Sequence, residues 1–177
     1  SHEAPLCSGQ CAYPIGGDWF NCAVRVRCQI AQATPLAMTR GLDKIAVMTT
    51  SLSRAIAAKR DDLIALTQDL IRIPTLNPPG QDYRLHCEYL DARLKGHGFE
   101  TQLIRAKGTP GDSEKFPRWN IIARRDGTLP GECVHFNSHT DVVEVGAGWT
   151  FDPFAAEVSE GKIYGRGTCD MKGGLAA

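Results

Sequence analysis

Cys133-Val134-His135-Phe136-Asn137-Ser138-His139-Thr140-Asp141 is the stretch on which the reading of this chain turns. It is a short β-prone run that ends in His-x-Asp, the pattern of a strand delivering two polar side chains to its rim. Residues two apart in extended backbone leave on the same side, so His139 and Asp141 face one small volume. In an open α/β sheet, ligands collect at the carboxyl edge of the strands because the loops converge there. Further on, Tyr164-Gly165-Arg166-Gly167-Thr168-Cys169-Asp170-Met171-Lys172-Gly173-Gly174 sets a second carboxylate, Asp170, between a Gly-rich turn and a helix start. Imidazole is the commonest zinc ligand, and a nearby carboxylate fixes its tautomer and orientation. A further carboxylate can bridge two cations that together activate one water. By spacing alone the bland readings stay open: a strand-end His in a structural hydrogen bond, a helix-capping Asp, and Gly-Arg-Gly as a plain turn.

Working outward, Leu52, Ile56, Leu63, Leu66, Leu70 and Ile73 recur at threes, fours and sevens and predict a helix from Ser51 that Pro74 closes. Thr75 to Gly80, with two prolines, is a loop, and Tyr83 to Lys95 is a second helix with Leu85, Tyr89, Leu90 and Leu94 as its apolar face. Gly96 or Gly98 supplies its left-handed stop. Strands follow at Phe99 to Ile104, Trp119 to Ala123 and Cys133 to Asn137, with a polar loop from Lys107 to Lys115 and a turn at Asp126-Gly127. Ala156 to Val158 and Lys162 to Tyr164 flank Ser159-Glu160-Gly161 as a hairpin, and Met171 to Ala177 opens a helix. Helices followed by strands imply a layered domain, taken as α/β with a central β-sheet flanked by helices.

The charged fraction of 23% and apolar fraction of 42% are those of a globular chain. Twenty basic residues balance twenty acidic ones, and no basic run interleaved with aromatics occurs, so nucleic acid is set aside as a partner. No window reaches the roughly 18 apolar residues of a membrane span, and no basic segment with an apolar core marks a secretory signal. The expected compartment is the cytoplasm, with no membrane partner. Of seven cysteines, Cys87, Cys133 and Cys169 lie within the patterned region and are read as reduced thiols. Cys7, Cys11, Cys22 and Cys28 are scattered in residues 1–47, which show no sustained period. Their C-x3-C-x10-C-x5-C spacing lacks the paired short knuckles of structural zinc. Residues 1–47 are taken as an extension of unassigned structure, with Met38 or Met48 as alternative true starts, and residues 48–177 as the patterned domain.

Ser138-His139-Thr140-Asp141-Val142-Val143, Gly148-Trp149, Asp152-Pro153-Phe154, Gly161-Lys162-Ile163-Tyr164-Gly165-Arg166-Gly167 and Asp170-Met171-Lys172-Gly173-Gly174 together resemble the dinuclear-zinc amidohydrolase and exopeptidase family. That family includes acetylornithine deacetylase, succinyl-diaminopimelate desuccinylase, aminoacylase and glutamate carboxypeptidases. Ile73-Pro74-Thr75 and Asn77-Pro78-Pro79-Gly80 resemble its first helix and loop, so the likeness runs from Ser51 to Ala177. It implies that residues 48–177 are the N-terminal part of a truncated catalytic domain, that His139 and Asp170 are metal ligands with Asp170 bridging, and that Asp141 orients His139. It implies two Zn2+ or Co2+ ions, hydrolysis of a small-molecule N-acyl amino acid, and a homodimeric complete enzyme. The family's general base and remaining ligands, a Glu-Glu pair, a further carboxylate and a last His, have no counterpart in these 177 residues, so the chain alone is expected to be inactive. A zinc carboxypeptidase and a non-catalytic metal-binding remnant are the alternatives.

Other residues receive structural expectations. Trp149 and Phe154 pack the loop after His139, with a cleft-lining role for them as the lesser reading. Arg166 forms an ion pair in preference to meeting a substrate carboxylate, Lys172 is a solvated helix residue, Cys169 is a small packing residue, and His135 faces into the sheet short of its rim.

Overall fold

The structure, a computed structural model, describes residues 21–26, 50–128 and 131–177. Residues 50–57 are helical, but the helix expected to run unbroken from Ser51 turns at 58–59 and restarts as α1, Arg60–Ile71. The break lies where Lys59 leaves helical geometry, at φ −97 and ψ 2, and its N–H tightens onto Ile56 O. Leu52 and Ile56, 62% and 63% exposed, pack against no core, so the apolar period organises only the later turns, where Thr67, Leu70 and Ile71 are buried.

Helix α2, Tyr83–Gly96, buries Tyr83, His86, Cys87 and Leu90, one stripe at helical spacing. The expected face is rotated from this one: Leu85 is 53% exposed, while Tyr89 and Leu94 pack at the margin. The helix stops at Gly98, whose φ of 77 lets its N–H reach Lys95 O while Phe99 N–H reaches Leu94 O.

Strands β1 (Asn21–Val26), β2 (Glu100–Arg105), β3 (Trp119–Arg125) and β4 (Val134–His139) form one mixed sheet in the order β2-β3-β1-β4. β2 and β3 are antiparallel with Leu103 opposite Ile121, β1 runs parallel to β3, and β4 runs antiparallel to β1. Within the segment left without a fold, residues 21–26 thus occupy an interior strand position. Cys7, Cys11 and Cys28, and the proposed starts Met38 and Met48, lie outside the described residues. The predicted hairpin is present as β5 (Glu157–Ser159) and β6 (Lys162–Tyr164). A kinked turn, Thr168–Lys172, in which Asp170 (φ −132, ψ 95) and Met171 (φ −135, ψ 31) leave helical geometry, leads into a short α3, Gly173–Ala176.

Leu70, Cys87, Leu90 and Ile121 form the core, joined by Leu103, Trp119 and Leu175. Leu70 and Ile121 are fully buried, each contributing about 1.5–3 kcal/mol by transfer from water. α2 covers β2 and β3, and α1 packs on the kinked turn 168–172 and α3. The architecture is therefore α/β, with a helix layer against one sheet face. Ile122, next to Ile121 and directed oppositely, is 41% exposed.

Candidate metal centre

β4 ends at His139, and the chain runs on through buried Thr140 and Asp141 beside the Pro-rich loop. Thr75 Oγ1 donates to Thr140 O, Val142 N–H to Thr75 O at 2.9 Å, and Asn77 N–H to Val142 O at 2.8 Å. The loop's backbone thus lies alongside 140–142 like a short parallel strand, with a bridge between Leu76 and Val142. Gly167, at φ 84, begins the turn that presents Asp170; a Cβ there would stand 2.4 Å from Val142 Cγ1. The absent side chain is what lets this turn close on the strand end.

These elements bring His139, Asp141 and Asp170 together. His139 Nδ1 lies 3.1 Å from the carbonyl oxygen of Asp141 and 3.3 Å from its Oδ1. The carbonyl takes the hydrogen bond and Oδ1 supplies the nearest charge; Oδ1 itself has no properly aligned donor. Both oxygens accept, so they favour the tautomer in which Nδ1 is the donor and Nε2 keeps its lone pair. Nε2 in turn lies 2.8 Å from Asp170 Oδ1. Behind the site, Asn77 Nδ2 donates to Asp141 Oδ2 at 3.0 Å, and Arg118 Nη2 donates to Asn77 Oδ1 at 3.2 Å.

A lone pair set against a carboxylate at 2.8 Å needs a proton or a metal cation between them. Zinc holds N and O ligands about 2.0–2.2 Å from itself, hence about 3.4 Å from each other at the tetrahedral angle. The Asp170 side chain is 84% exposed and free to swing that small distance, whereas His139 and Asp141 are 14% and 10% exposed and held. The donor set therefore fits a divalent metal. Among the described residues no group of three or more His, Cys, Asp and Glu side chains is arranged to hold one.

Lys172 departs from the solvated role expected of it. It is fully buried and its Nζ donates to Leu70 O at 2.8 Å and Ile73 O at 2.7 Å, tying the kinked turn 168–172 to the end of α1. Burial pushes its pKa down to about 7, with Asp141 acting the other way. Among the described residues Arg166 makes no ion pair of the kind expected: its Nη2 donates to Glu144 O at 3.1 Å and its guanidinium lies 5.2 Å from the Trp149 ring centroid. Trp149 is 38% exposed and lines, with Phe151 and Tyr164, a hollow of about 520 Å³. Cys169 is exposed instead of packed. His135 is exposed, not turned into the sheet. Four residues along the same strand, it lies about 13 Å from His139 and outside the site. Sequence reasoning missed Asn77 and Arg118. Asn77 sits in a loop legible only for its prolines, and nothing local marks Arg118.

The family model described as Peptidase family M20/M25/M40 matches residues 135–177, which include His139, Asp141 and Asp170. The chain is 41% identical over 119 residues to succinyl-diaminopimelate desuccinylase 2 of Ruegeria sp. (strain TM1040), an alignment covering 66% of this chain and 27% of that protein. It is 39% identical over 118 residues to succinyl-diaminopimelate desuccinylase of Cereibacter sphaeroides (strain ATCC 17029 / ATH 2.4.9), covering 66% and 28%. With the same-named protein of Beijerinckia indica subsp. indica it shares 42% over 116 residues, covering 63% and 27%. The chain thus spans little more than a quarter of the length of these relatives. In the matched segment, with its His-x-Asp and Asp170 positions, the chain is similar to peptidase family M20/M25/M40.

Proposed function

We propose that this chain supplies part of the metal centre of an amidohydrolase that removes an acyl group, succinyl in the first instance, from the amino group of an amino acid. The observation that carries the reading is the opposition of His139 Nε2 and Asp170 Oδ1 across 2.8 Å, a pair that a shared proton or a metal cation would bridge. His139 and Asp170 would hold the metal, with Asp170 shared between two ions, zinc or cobalt. Such ions, when bound, polarise the amide carbonyl and make a water nucleophilic near neutral pH. Asp141 holds the His139 ring with Nε2 outward and balances charge behind it. The exposed Asp170 carboxylate accommodates the cation by a small rotation. Hydrolysis adds water across the C–N bond and releases a carboxylate and an amine.

The succinyl preference is taken from the relatives' names, and a homodimeric whole enzyme from the family likeness. Among the described residues no helix is long and apolar enough to cross a membrane; a cytoplasmic location and a small-molecule substrate, with no nucleic-acid or membrane partner, are part of the proposal. With two ligands where a catalytic zinc has three, the 177-residue chain alone should bind metal weakly and hydrolyse nothing. The test sets N-succinyl and N-acetyl diamino acids against dipeptides, using the protein expressed from its entire coding region, with and without added zinc. Zinc-dependent release of succinate is the expected result. Preferential dipeptide cleavage would assign a carboxypeptidase instead, and turnover by residues 1–177 alone would overturn the division of the site.

A further inference from the structure

We infer that Arg118 and Asn77 are positioning residues that fix the direction of the hydrogen bonds behind His139, and so keep its Nε2 lone pair facing the metal position. The inference rests on the metal-centre reading and extends it to a buried arginine remote in sequence.

The relay runs Arg118, Asn77, Asp141, His139, and its polarity is set from the far end. A guanidinium has only donors and keeps its charge at all working pH values. Its Nη2 lies 3.2 Å from Asn77 Oδ1, so the amide oxygen must face Arg118 and the amide NH2 must face Asp141. Asn77 Nδ2 then occupies Asp141 Oδ2 at 3.0 Å, leaving Oδ1 turned to the His139 ring at 3.3 Å. With Asn77 held this way round, the Asp141 carboxylate is pinned behind the ring, so that Nδ1 keeps the Asp141 carbonyl oxygen at 3.1 Å as its acceptor and the Oδ1 charge at 3.3 Å beside it.

Arg118 is built in for this. It is 4% exposed, and its guanidinium carbon lies 5.1 Å from the Tyr83 ring centroid. A Cβ at Gly80 would stand 2.0 Å from Nη1 and one at Gly111 2.1 Å from Nη2, so two glycine backbones close on the guanidinium. The Arg118 backbone N–H is fixed too, donating to Asp112 Oδ1 at 3.0 Å.

The discriminating variant is Asn77→Asp, which keeps the shape and the Arg118 partner but sets an acceptor against Asp141. Asn77→Leu removes both bonds. Two readouts apply to the 177-residue chain: Co2+ affinity from absorbance titration, and the His139 tautomer from ring 15N shifts of the metal-free chain at pH about 8.5, well above the ordinary imidazole value. The His139 signal is identified by its loss in His139→Gln. With no metal bound the exposed Asp170 carboxylate turns away to water, and the unsubstituted chain should show the Nδ1–H tautomer. Both Asn77 variants should admit the Nε2–H form and lose about 10–100-fold in Co2+ affinity, the range for partners standing behind a metal ligand. Loss in Asn77→Asp would run against its added negative charge, which by itself favours a cation, so packing alone cannot produce it. Thermal unfolding of Asn77→Asp verifies that the fold is kept. Unchanged tautomer and affinity in Asn77→Asp would overturn the relay while leaving the metal centre standing. Co2+ affinity indifferent to His139→Gln would instead sink the metal centre, and the tautomer readout would still decide the relay.

Discussion

His139 and His86 carry the same ring into opposite surroundings. His139 closes β4 with oxygens of Asp141 against Nδ1 and of Asp170 against Nε2, and its side chain keeps a path to solvent at 14% exposure. His86 lies on the inner stripe of α2, fully buried, and among the described residues neither of its nitrogens has a hydrogen-bond partner. Burial, reinforced by the nearby Lys172 charge, pushes its pKa down to about 3. An imidazole ringed by acceptors attracts a proton or a metal. One ringed by apolar packing stays neutral, and it costs the fold the water it gave up.

The largest separation should come from metal binding. His139→Ala should lower Co2+ affinity at least about 100-fold, since it removes one of two ligands and exceeds the loss expected for a residue that only supports a ligand. His86→Leu should leave it within about twofold, because His86 meets no solvent. Absorbance titration of both variants decides this, and equal losses would dissolve the contrast.

Stability should move the other way. His86→Leu keeps the volume roughly constant and removes two unpartnered ring nitrogens, so it should stabilise the chain by about 1–3 kcal/mol. A depressed folded value means that the stability linked to His86 is fully present above its unfolded value of about 6.5. It is lost as pH falls towards the folded value of about 3. Urea unfolding of the unsubstituted chain at pH 7.5 and pH 5.0 should therefore differ by about 2 kcal/mol from this group, and the difference should vanish in His86→Leu. A slope that survives the substitution would mean that other groups carry it.

The sequence exposed the first histidine and hid the second for physical reasons. His139 stands in a pattern whose period and composition both point to a rim, and Asp170 follows a glycine pair that only a tight turn requires. His86 occupies a helix whose apolar phase is ambiguous by one position, which is also why Leu85 was placed inside. The α1 break escaped because apolar residues at helical spacing do not reveal whether a surface exists to receive them: Leu52 and Ile56 found none. Asn77, Arg118 and Lys172 act through contacts 41 residues (Asn77–Arg118) and 99 and 102 residues (Lys172 to Ile73 and Leu70) away in the chain. Local pattern carries no record of such distances.

The smallest effect concerns Asp112, a polar centre that is matched like His139 but holds no position for a ligand. Its carboxylate accepts from the backbone N–H of Arg118 and from Arg105 Nε, both at 3.0 Å, and from Gly108 N–H at 3.1 Å. Those donors, the Arg118 N–H foremost, hold its pKa below the ordinary carboxylate value. Because the shift is downward, the stabilisation is complete above the unfolded value of about 3.9 and fades only as pH falls through the lower folded one. At pH 5.0, where His86 already strains the fold, the loop around Asp112 should be undisturbed. Amide exchange at Gly108 and Arg118 should be equally slow, after correction for intrinsic rates, at pH 5.0 and 7.0, and faster at both in Asp112→Ala. Exchange that quickens between pH 7.0 and 5.0 at Gly108 and Arg118, but not in the β2–β3 ladder, would show that matching donors to acceptors does not protect a site from acid. The contrast between the two histidines would then rest on burial alone.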